Sequence, residues 1–271
     1  MSPIKPWRPW ALLGPLLFSS LLAMLAGCGS DPKRDDSREA VDKLYAEARD
    51  DLAAGSYERA IKTLERIEGR AAGTLLAQQA LLDTAYAQWR IGERVQATAT
   101  VDRFIKLHPS SPALDYALYL KGLINFNDNL GLFGNLAGQN LAERDQQASR
   151  DAYQAFKQLV EQFPASKYSA DGRQRMDYIV NALAEHEVHV ARYYFRRAAY
   201  VAAANRAQQA VRDYPQTPAS EEALYIMAAS YDKLGLPELR DDADRVLKKN
   251  FPKSRFVEGG ERVTRPWWKF W

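Results

Sequence analysis

Cysteine and histidine are almost missing from this chain of 271 residues, which contains one cysteine and three histidines. The single cysteine, Cys28, excludes an intramolecular disulfide. His186 and His189 are three residues apart, whereas a zinc metalloprotease motif needs two histidines four apart on one helix face. The chain also lacks a G-x-S-x-G motif and a glycine loop that could cradle phosphates. We therefore predict no catalytic residue and no metal site, and we predict that the protein is not an enzyme.

A strong excess of either charge is also missing. The sequence carries 37 basic and 34 acidic residues, a formal net charge of +3. Lys5 and Arg8 lie in a segment that we expect to be cleaved, which leaves 35 basic against 34 acidic residues. Because binding to nucleic acids depends on a basic surface that neutralises phosphates, this balance does not favour nucleic acid as a partner.

The N-terminus has the pattern of a secretory signal. Basic residues precede an apolar run from Trp10 to Ala26, and small residues follow just before Cys28. The run is too short, and too interrupted by Pro15, for a transmembrane helix. Residues 1–27 are therefore predicted to be a cleaved signal peptide.

The cleavage site reads LAGC and ends at Cys28, which resembles the bacterial lipobox. In that motif the cysteine becomes the first mature residue and carries the lipid, which would be the only non-protein group of this chain. A plain signal peptide with an incidental cysteine is the alternative. Gly29 stands where an Asp would resemble an inner-membrane retention signal, so the outer membrane is favoured. The polar residues 28–36 are predicted to tether the protein to the periplasmic face of that membrane.

Small residues recur with a period of 37 through the rest of the chain. Two copies have the complete spacing, which is a small residue, a Gly or Ala seven later, an Ala after five more, and a closing Pro: Ala85-Gly92-Ala97-Pro109 and Ala191-Ala198-Ala203-Pro215. The other copies keep part of it, with Gly55 and Ala60 after Ala48, and Gly235 and Pro252 after Ala228. The first of these small residues are Ala48, Ala85, Gly122, Ala191 and Ala228. A shared phase over five copies indicates a repeat protein rather than an irregular helical domain.

This spacing resembles the tetratricopeptide repeat, a pair of antiparallel helices of about 34 residues. Small residues let the two helices touch, the glycine turns the chain, and the proline ends the second helix. We predict an all-α tetratricopeptide-repeat solenoid of about five helix pairs over residues 37–256.

Two surplus segments interrupt the period. An insertion of 18 residues falls in the third repeat, with residues 127–140 as its Gly- and Asn-rich centre. It is predicted either to bind a partner or to fold back on its own repeat. Fourteen further residues precede the fourth repeat, and the stretch from Tyr168 to Arg197 contains no proline. We predict one helix of about twice the usual length, projecting beyond the solenoid as a docking post.

The concave face of such a solenoid is built from the first helix of each pair. Taking the first small residue as position eight, positions 5, 9 and 12 are predicted to face the groove. Aromatic residues dominate these positions, with Arg49 supplying charge, which suits an extended peptide with aromatic side chains. A core role for each aromatic is the alternative. The candidate groove residues are Tyr45, Arg49, Leu82, Tyr86, Trp89, Tyr119 and Phe126.

The C-terminal tail, residues 257–271, ends in WWKFW. Clustered tryptophans beside a lysine suit a membrane interface or a surface that accepts aromatic side chains. Folding back to cap the last repeat is the alternative of equal weight.

The lipobox, the five repeats, the insertion and the stretch Tyr193-Tyr194-Phe195-Arg196-Arg197 together resemble the BamD family, also called YfiO or ComL. This family is the lipoprotein component of the outer-membrane β-barrel assembly machinery. The resemblance covers essentially all of Cys28 to Phe256.

The resemblance implies a scaffold without covalent chemistry. It implies that the N-terminal repeats, residues 37–165, receive the C-terminal signals of unfolded outer-membrane proteins. It also implies that the C-terminal repeats, residues 166–256, dock on a BamA-like β-barrel subunit, beside other assembly lipoproteins. The candidate docking residues are Tyr193, Arg196, Arg197, Asn205 and Arg206. The alternative is another outer-membrane repeat lipoprotein, one that organises peptidoglycan enzymes or a pilus secretin.

Overall fold

The computed structural model describes residues 32–126 and 146–257, and the side chains from residue 39 onward within them. These residues form ten α-helices without strands, as the repeat pattern predicted. In chain order they are α1 (Pro32–Ala53), α2 (Tyr57–Arg70), α3 (Leu75–Arg90), α4 (Arg94–Leu107), α5 (Leu114–Asn125), α6 (Gln146–Gln162), α7 (Ser169–Arg196), α8 (Tyr200–Asp213), α9 (Ala219–Lys233) and α10 (Pro237–Asn250).

Each helix packs mainly on its neighbours in sequence, so the ten helices form five consecutive pairs. The small residues of the period lie where the helices of a pair touch. Ala48 and Ala60 are fully buried in the first pair, and Ala85 and Ala97 in the second. The buried side chains divide into several clusters along the chain, as expected when each pair contacts only its neighbours.

In the third pair, the small residue at the helix contact must be glycine. A Cβ atom on Gly122 of α5 would lie 2.3 Å from Cε1 of Phe156 on α6. Phe156 is itself fully buried, so its ring occupies the space that a side chain at residue 122 would need. The glycine is therefore required for the contact between these two helices.

Turns between the helices of a pair confirm the predicted glycine positions. Gly55, Gly92 and Gly235 have φ angles of 74°, 87° and 70°, which glycine adopts without strain. The fourth pair differs, because Ala198 takes this position with a φ of 60°. A left-handed conformation costs an alanine roughly 1 kcal/mol relative to glycine.

Turns between successive pairs also follow one pattern. After α4, the backbone N–H of His108 donates to Phe104, that of Ser111 donates to His108, and that of Leu114 donates to Ser111. The last bond brings the chain into the first turn of the next helix. The same series of bonds begins at Phe163, at Tyr214 and at Phe251.

Two predicted boundaries differ from the structure. The first helix begins at Pro32 and not at residue 37, because proline is well suited to the first helical position, so helix extends into the predicted tether. The long helix is confirmed as α7, with 28 residues and a length of about 42 Å. It does not project, because its N-terminal half packs on α6 and its C-terminal half on α8 and α9. Ile179 and Leu183 belong to one buried cluster, and Val188 and Ala191 to the next.

Candidate peptide-binding and docking surfaces

The first helices of successive pairs are linked by polar side chains. The hydroxyl of Tyr45 on α1 donates a hydrogen bond of 2.9 Å to the carboxylate of Asp83 on α3. The side-chain amide of Gln79 donates a second bond of 2.9 Å to the same carboxylate. Burial raises the pKa of Asp83, although both hydrogen bonds act in the opposite direction. Burial and the nearby Asp83 also raise the pKa of Tyr45. Tyr45 is therefore held in place as a neutral donor beside a partly desolvated acid.

An aromatic cluster lies next to this pair. The ring centroids of Tyr57 and Tyr86 are 6.3 Å apart, and those of Tyr86 and Trp89 are 6.0 Å apart, both edge to face. The Arg90 guanidinium lies 5.0 Å from the ring centroid of Tyr57 and donates to the hydroxyl of Tyr86. This cluster offers aromatic faces and one exposed cation on the same surface.

A second aromatic cluster connects α5 to the start of α7. Tyr119 stacks on Tyr168 with their ring centroids 4.8 Å apart, and Tyr116 lies 5.5 Å from the same ring. The hydroxyl of Tyr119 donates to Asp171 at 2.8 Å. Burial raises the pKa of Asp171, but hydrogen bonds from Arg175 and Tyr119 outweigh this and lower it overall. Asp171 is therefore an ionised acceptor within an aromatic surface.

The row ends at Phe126, the last described residue before the insertion. Its ring centroid lies 5.8 Å from that of Tyr178 and 6.3 Å from that of Phe156. The guanidinium of Arg175 lies 4.9 Å from the Phe126 ring. Aromatic side chains therefore continue from α1 to the middle of α7.

We call this row of half-buried aromatic residues and carboxylates the aromatic surface. Its members are Tyr45, Tyr57, Asp83, Tyr86, Trp89, Tyr116, Tyr119, Phe126, Tyr168 and Asp171. Five of the seven candidate groove residues lie on it and are half-buried, while Arg49 is exposed on α1. Leu82 was wrongly predicted, because it is fully buried in a cluster with Phe104 and Ala117. The five predicted residues on the aromatic surface are Tyr45, Tyr86, Trp89, Tyr119 and Phe126, and their role in binding a peptide stays a prediction.

Sequence reasoning missed several members of the aromatic surface. Asp83 and Tyr116 lie one turn before predicted positions, Tyr57 begins a second helix, and Tyr168 precedes α7. Tyr57 could have been found from the sequence, because it follows Gly55 by two residues just as Tyr200 follows Ala198 in the fourth repeat. The others depend on contacts between pairs, which the internal spacing of one repeat does not contain.

The hydrogen bond between Tyr45 and Asp83 predicts a pH-dependent loss of stability. Because burial raises the pKa of Asp83, its ionised form opposes folding at neutral pH, and this cost disappears as the pH falls through the folded pKa. Tyr45→Phe removes a donor that stabilises the ionised form. We expect the free energy of unfolding to fall by about 1–2 kcal/mol near pH 7 and by less near pH 4. Urea unfolding at both pH values measures this difference.

The control is Tyr57→Phe, which removes a hydroxyl from a tyrosine on the same surface whose described contacts are made by its ring. Its effect should be small and independent of pH. A loss of stability for Tyr45→Phe that is equal at both pH values would contradict the role of Asp83.

The candidate docking residues lie around the turn between α7 and α8. Tyr193 is 45% exposed, and the guanidinium of Arg197 lies 5.5 Å from its ring centroid. Arg196 and Asn205 are exposed. Arg206 differs, because it is half-buried and pairs with Glu187 on α7 at 3.1 Å. Four of the five residues are therefore available to a partner, and Arg206 instead ties α8 to α7.

Exposed apolar residues lie at the start of α8 and α10, the second helices of the last two pairs, and the sequence did not single them out. Val201 on α8 is 60% exposed, and Leu236 and Leu239 at the start of α10 are 42% and 46% exposed. Apolar side chains beside arginines are typical of surfaces that bind other proteins. The strained Ala198 lies in the same turn, and strain of this kind often marks functional sites. We call Tyr193, Arg196, Arg197 and Val201 the docking surface.

The described residues contain no group of three or more His, Cys, Asp or Glu side chains that could hold a metal. His186 and His189 lie on α7, and burial lowers the pKa of His186. Within the described ranges, no helix is long and apolar enough to cross a membrane. Cys28, the insertion at 127–140 and nearly all of the tail, from residue 258, lie outside the described residues.

Comparison with known proteins decides the family. The family model YfiO, described as an outer membrane lipoprotein, matches residues 37–258. This chain belongs to that family. The family assignment confirms the predicted resemblance and the predicted location at the outer membrane.

Individual relatives agree with the family over most of the chain. The outer membrane protein assembly factor BamD of Neisseria meningitidis serogroup B is 46% identical over 262 residues, which cover 94% of this chain and 98% of the relative. The protein of the same name from Haemophilus influenzae is 35% identical over 88% of this chain and 91% of its own length. Among solved structures, a crystal structure of the MamA protein covers 84% of this chain at 16% identity, with a TM-score of 0.34.

Proposed function

We propose that this protein is a lipid-anchored scaffold that promotes assembly of β-barrel proteins into the outer membrane. The observation that carries the proposal is the 46% identity, over nearly the whole length of both chains, to a protein named as an outer membrane protein assembly factor. The fold is compatible with this role, because a solenoid of helix pairs offers long surfaces and the candidate residues suggest no covalent chemistry.

We infer two binding activities at separate ends of the solenoid. The aromatic surface receives the C-terminal signals of unfolded outer-membrane proteins, which tend to end in an aromatic residue. Half-buried tyrosines and Trp89 supply flat apolar contacts, while Arg49 and Arg90 can bind a terminal carboxylate. The docking surface binds a BamA-like β-barrel subunit, beside other assembly lipoproteins.

The docking half is tested by affinity purification from detergent-solubilised outer membranes. The wild-type chain, tagged after Trp271, is expected to recover a large β-barrel subunit. Arg196→Glu/Arg197→Glu is expected to lose it, because the double change replaces two exposed cations by two anions. The matched control is Lys62→Glu/Arg66→Glu, which makes the same charge change at two exposed positions of α2.

The outcomes separate the two parts of this proposal. Recovery of the subunit by all three chains would support the assembly role and show that the docking residues are wrong. Recovery of peptidoglycan enzymes or a secretin instead, with no barrel subunit, would contradict the assembly role itself.

The peptide-binding half is tested with a labelled peptide that ends in an aromatic residue and a free carboxylate. Trp89→Ala is expected to weaken binding roughly tenfold, about 1.4 kcal/mol, as is usual for a buried aromatic contact at an interface. Arg49→Glu, at an exposed position that cannot disturb the core, should weaken binding to the free carboxylate but not to the amidated peptide. Fluorescence polarisation measures both dissociation constants. Unchanged affinity in both variants would place the peptide elsewhere.

A further inference from the structure

The last helix of the solenoid leaves apolar side chains exposed. On α10, Leu239, Ala243 and Val246 follow the spacing i, i+4, i+7 and therefore lie on one helix face. Ala243 is buried, whereas Leu239 is 46% exposed and Val246 is 37% exposed. Leu236, which caps the helix, is 42% exposed on the same side. The apolar stripe of α10 is thus only partly covered.

Earlier second helices are covered on both sides. Helices α2, α4, α6 and α8 each pack against the first helix of the following pair as well as against their own partner. Within the described residues, α10 packs mainly against α9, and no following helix covers its other side. The end of a repeat array needs a covering element, because an uncovered apolar face favours association with other molecules.

The turn after α10 has the same backbone hydrogen bonds as the turns that lead into the first helix of a pair. The backbone bonds Phe251 to Leu247, Ser254 to Phe251 and Val257 to Ser254 repeat the turn that leads into α5, α7 and α9. Val257 therefore corresponds to a residue in the first turn of a following helix.

Side chains hold this turn against α9. The ring of Phe256 stacks on Tyr225 with centroids 4.7 Å apart and an interplanar angle of 19°. The hydroxyl of Ser254 donates to Glu221. Tyr168 makes the equivalent contact with Tyr119 at the start of α7. The last described residues of the chain are therefore anchored on α9, at the end of the solenoid.

We propose that the tail segment, residues 258–271, covers the exposed apolar side of α10 and closes the array. Fourteen residues can span up to about 46 Å, which is more than twice the roughly 21 Å of α10. The segment supplies Val263, Trp267, Trp268, Phe270 and Trp271 as apolar partners. The family model ends at residue 258, so this cap lies beyond the part that the model matches. The inference does not depend on the proposed function.

Tryptophan fluorescence tests the proposal directly. The six tryptophans are Trp7 and Trp10 in the predicted leader, Trp89, and three in the tail segment. In a mature chain with Trp89→Phe, the fluorescence therefore comes from the tail alone. We expect an emission maximum shifted to shorter wavelength than in denaturant, and quenching by acrylamide on the order of twofold weaker than in the unfolded chain.

Two double variants locate the contact. Leu239→Asp/Val246→Asp is expected to shift the tail emission to that of exposed tryptophan, because it places charges on the proposed contact. Val95→Asp/Leu107→Asp, at positions that are 81% and 58% exposed on α4, is the matched control and should leave the emission unchanged. Circular dichroism checks that helix content is the same in all chains.

A stability cycle gives an independent measurement. Ending the chain after Val257 should lower the unfolding midpoint in the wild type but not in Leu239→Asp/Val246→Asp, since the contact is already lost there. The proposal is overturned if the tail tryptophans are exposed in solution and become buried only with phospholipid vesicles, which would make the segment a membrane contact. It is equally overturned if the emission is shifted but does not respond to the α10 variant.

Discussion

Gly122→Ala is expected to lower the free energy of unfolding by about 2–3 kcal/mol, because one added methyl group overpacks the contact between α5 and α6. The new Cβ would lie 2.3 Å from the ring of Phe156, closer than real side-chain contacts allow. Phe156 cannot rotate away freely, since it is fully buried and its ring also contacts Tyr119 and Phe126. For a domain of this size the unfolding midpoint should fall by about 5–10 °C.

Two other glycines provide matched controls for the same chemical change. Gly69 lies inside α2, where an added Cβ would have no atom within 4 Å, so Gly69→Ala should stabilise the helix by about 0.5–1 kcal/mol. Gly172→Ala places its Cβ 3.4 Å from Leu159, an ordinary contact, and should be nearly neutral. Thermal unfolding followed by circular dichroism compares the three variants. A neutral Gly122→Ala would mean that α5 and α6 can separate without cost.

The Gly122 variant also affects the aromatic surface. Separation of α5 from α6 would move Tyr119 and Phe126, which flank Phe156. We therefore expect weaker binding of the aromatic peptide in Gly122→Ala but unchanged recovery of the barrel subunit, whose proposed surface lies at the C-terminal end of α7 and the start of α8. The two surfaces would then be separable by one substitution.

Cys28→Ser is expected to move the protein from the membrane fraction to the soluble periplasm almost completely. A serine cannot accept the thioether-linked lipid, and each buried methylene of an acyl chain contributes about 0.8 kcal/mol to membrane binding. Two or more chains anchor a protein stably, so their loss should dominate over any contact made by the solenoid. Fractionation followed by immunoblotting measures the distribution.

A second variant keeps the lipid and changes only the sorting. Gly29→Asp introduces the residue that resembles an inner-membrane retention signal. The protein should therefore stay in the membrane fraction but shift to the inner membrane on a density gradient. If Cys28→Ser remains fully bound to membranes, the lipid on Cys28 is not the main anchor. Retention through a bound barrel subunit is then tested by combining Cys28→Ser with Arg196→Glu/Arg197→Glu.

Much of the architecture could be predicted because the same spacing of small residues and glycines recurs along the chain. The glycines at 55, 92 and 235 mark turns, and the small residues at 48 and 85 mark helix contacts, as expected from their spacing. The long α7 followed from the absence of proline over its span. Its packing on both sides did not follow, since contacts with α6, α8 and α9 depend on how successive pairs stack.

The candidate surfaces were predicted less completely for the same reason. The position of a residue in the repeat predicts which face of its helix the side chain lies on. It does not predict which residues of the neighbouring helix pair contact that side chain. Leu82 was expected in the groove and is fully buried, because the adjoining α4 and α5 close over it. Asp83 was not considered, although its bond to Tyr45 places it on the aromatic surface.

By itself the sequence determined the class of this protein, an all-α repeat array in the family of outer membrane lipoproteins. It also predicts a leader and a lipobox before that array. These properties depend on local spacing, which a linear chain carries completely. Only the tertiary structure decided which aromatic residues share one surface. It also showed that residue 122 must be glycine because the ring of Phe156 occupies the space of a side chain there. Finally, it showed that α10 ends the described array with exposed apolar side chains. Such properties arise from contacts between pairs, where distant residues meet and compete for the same volume.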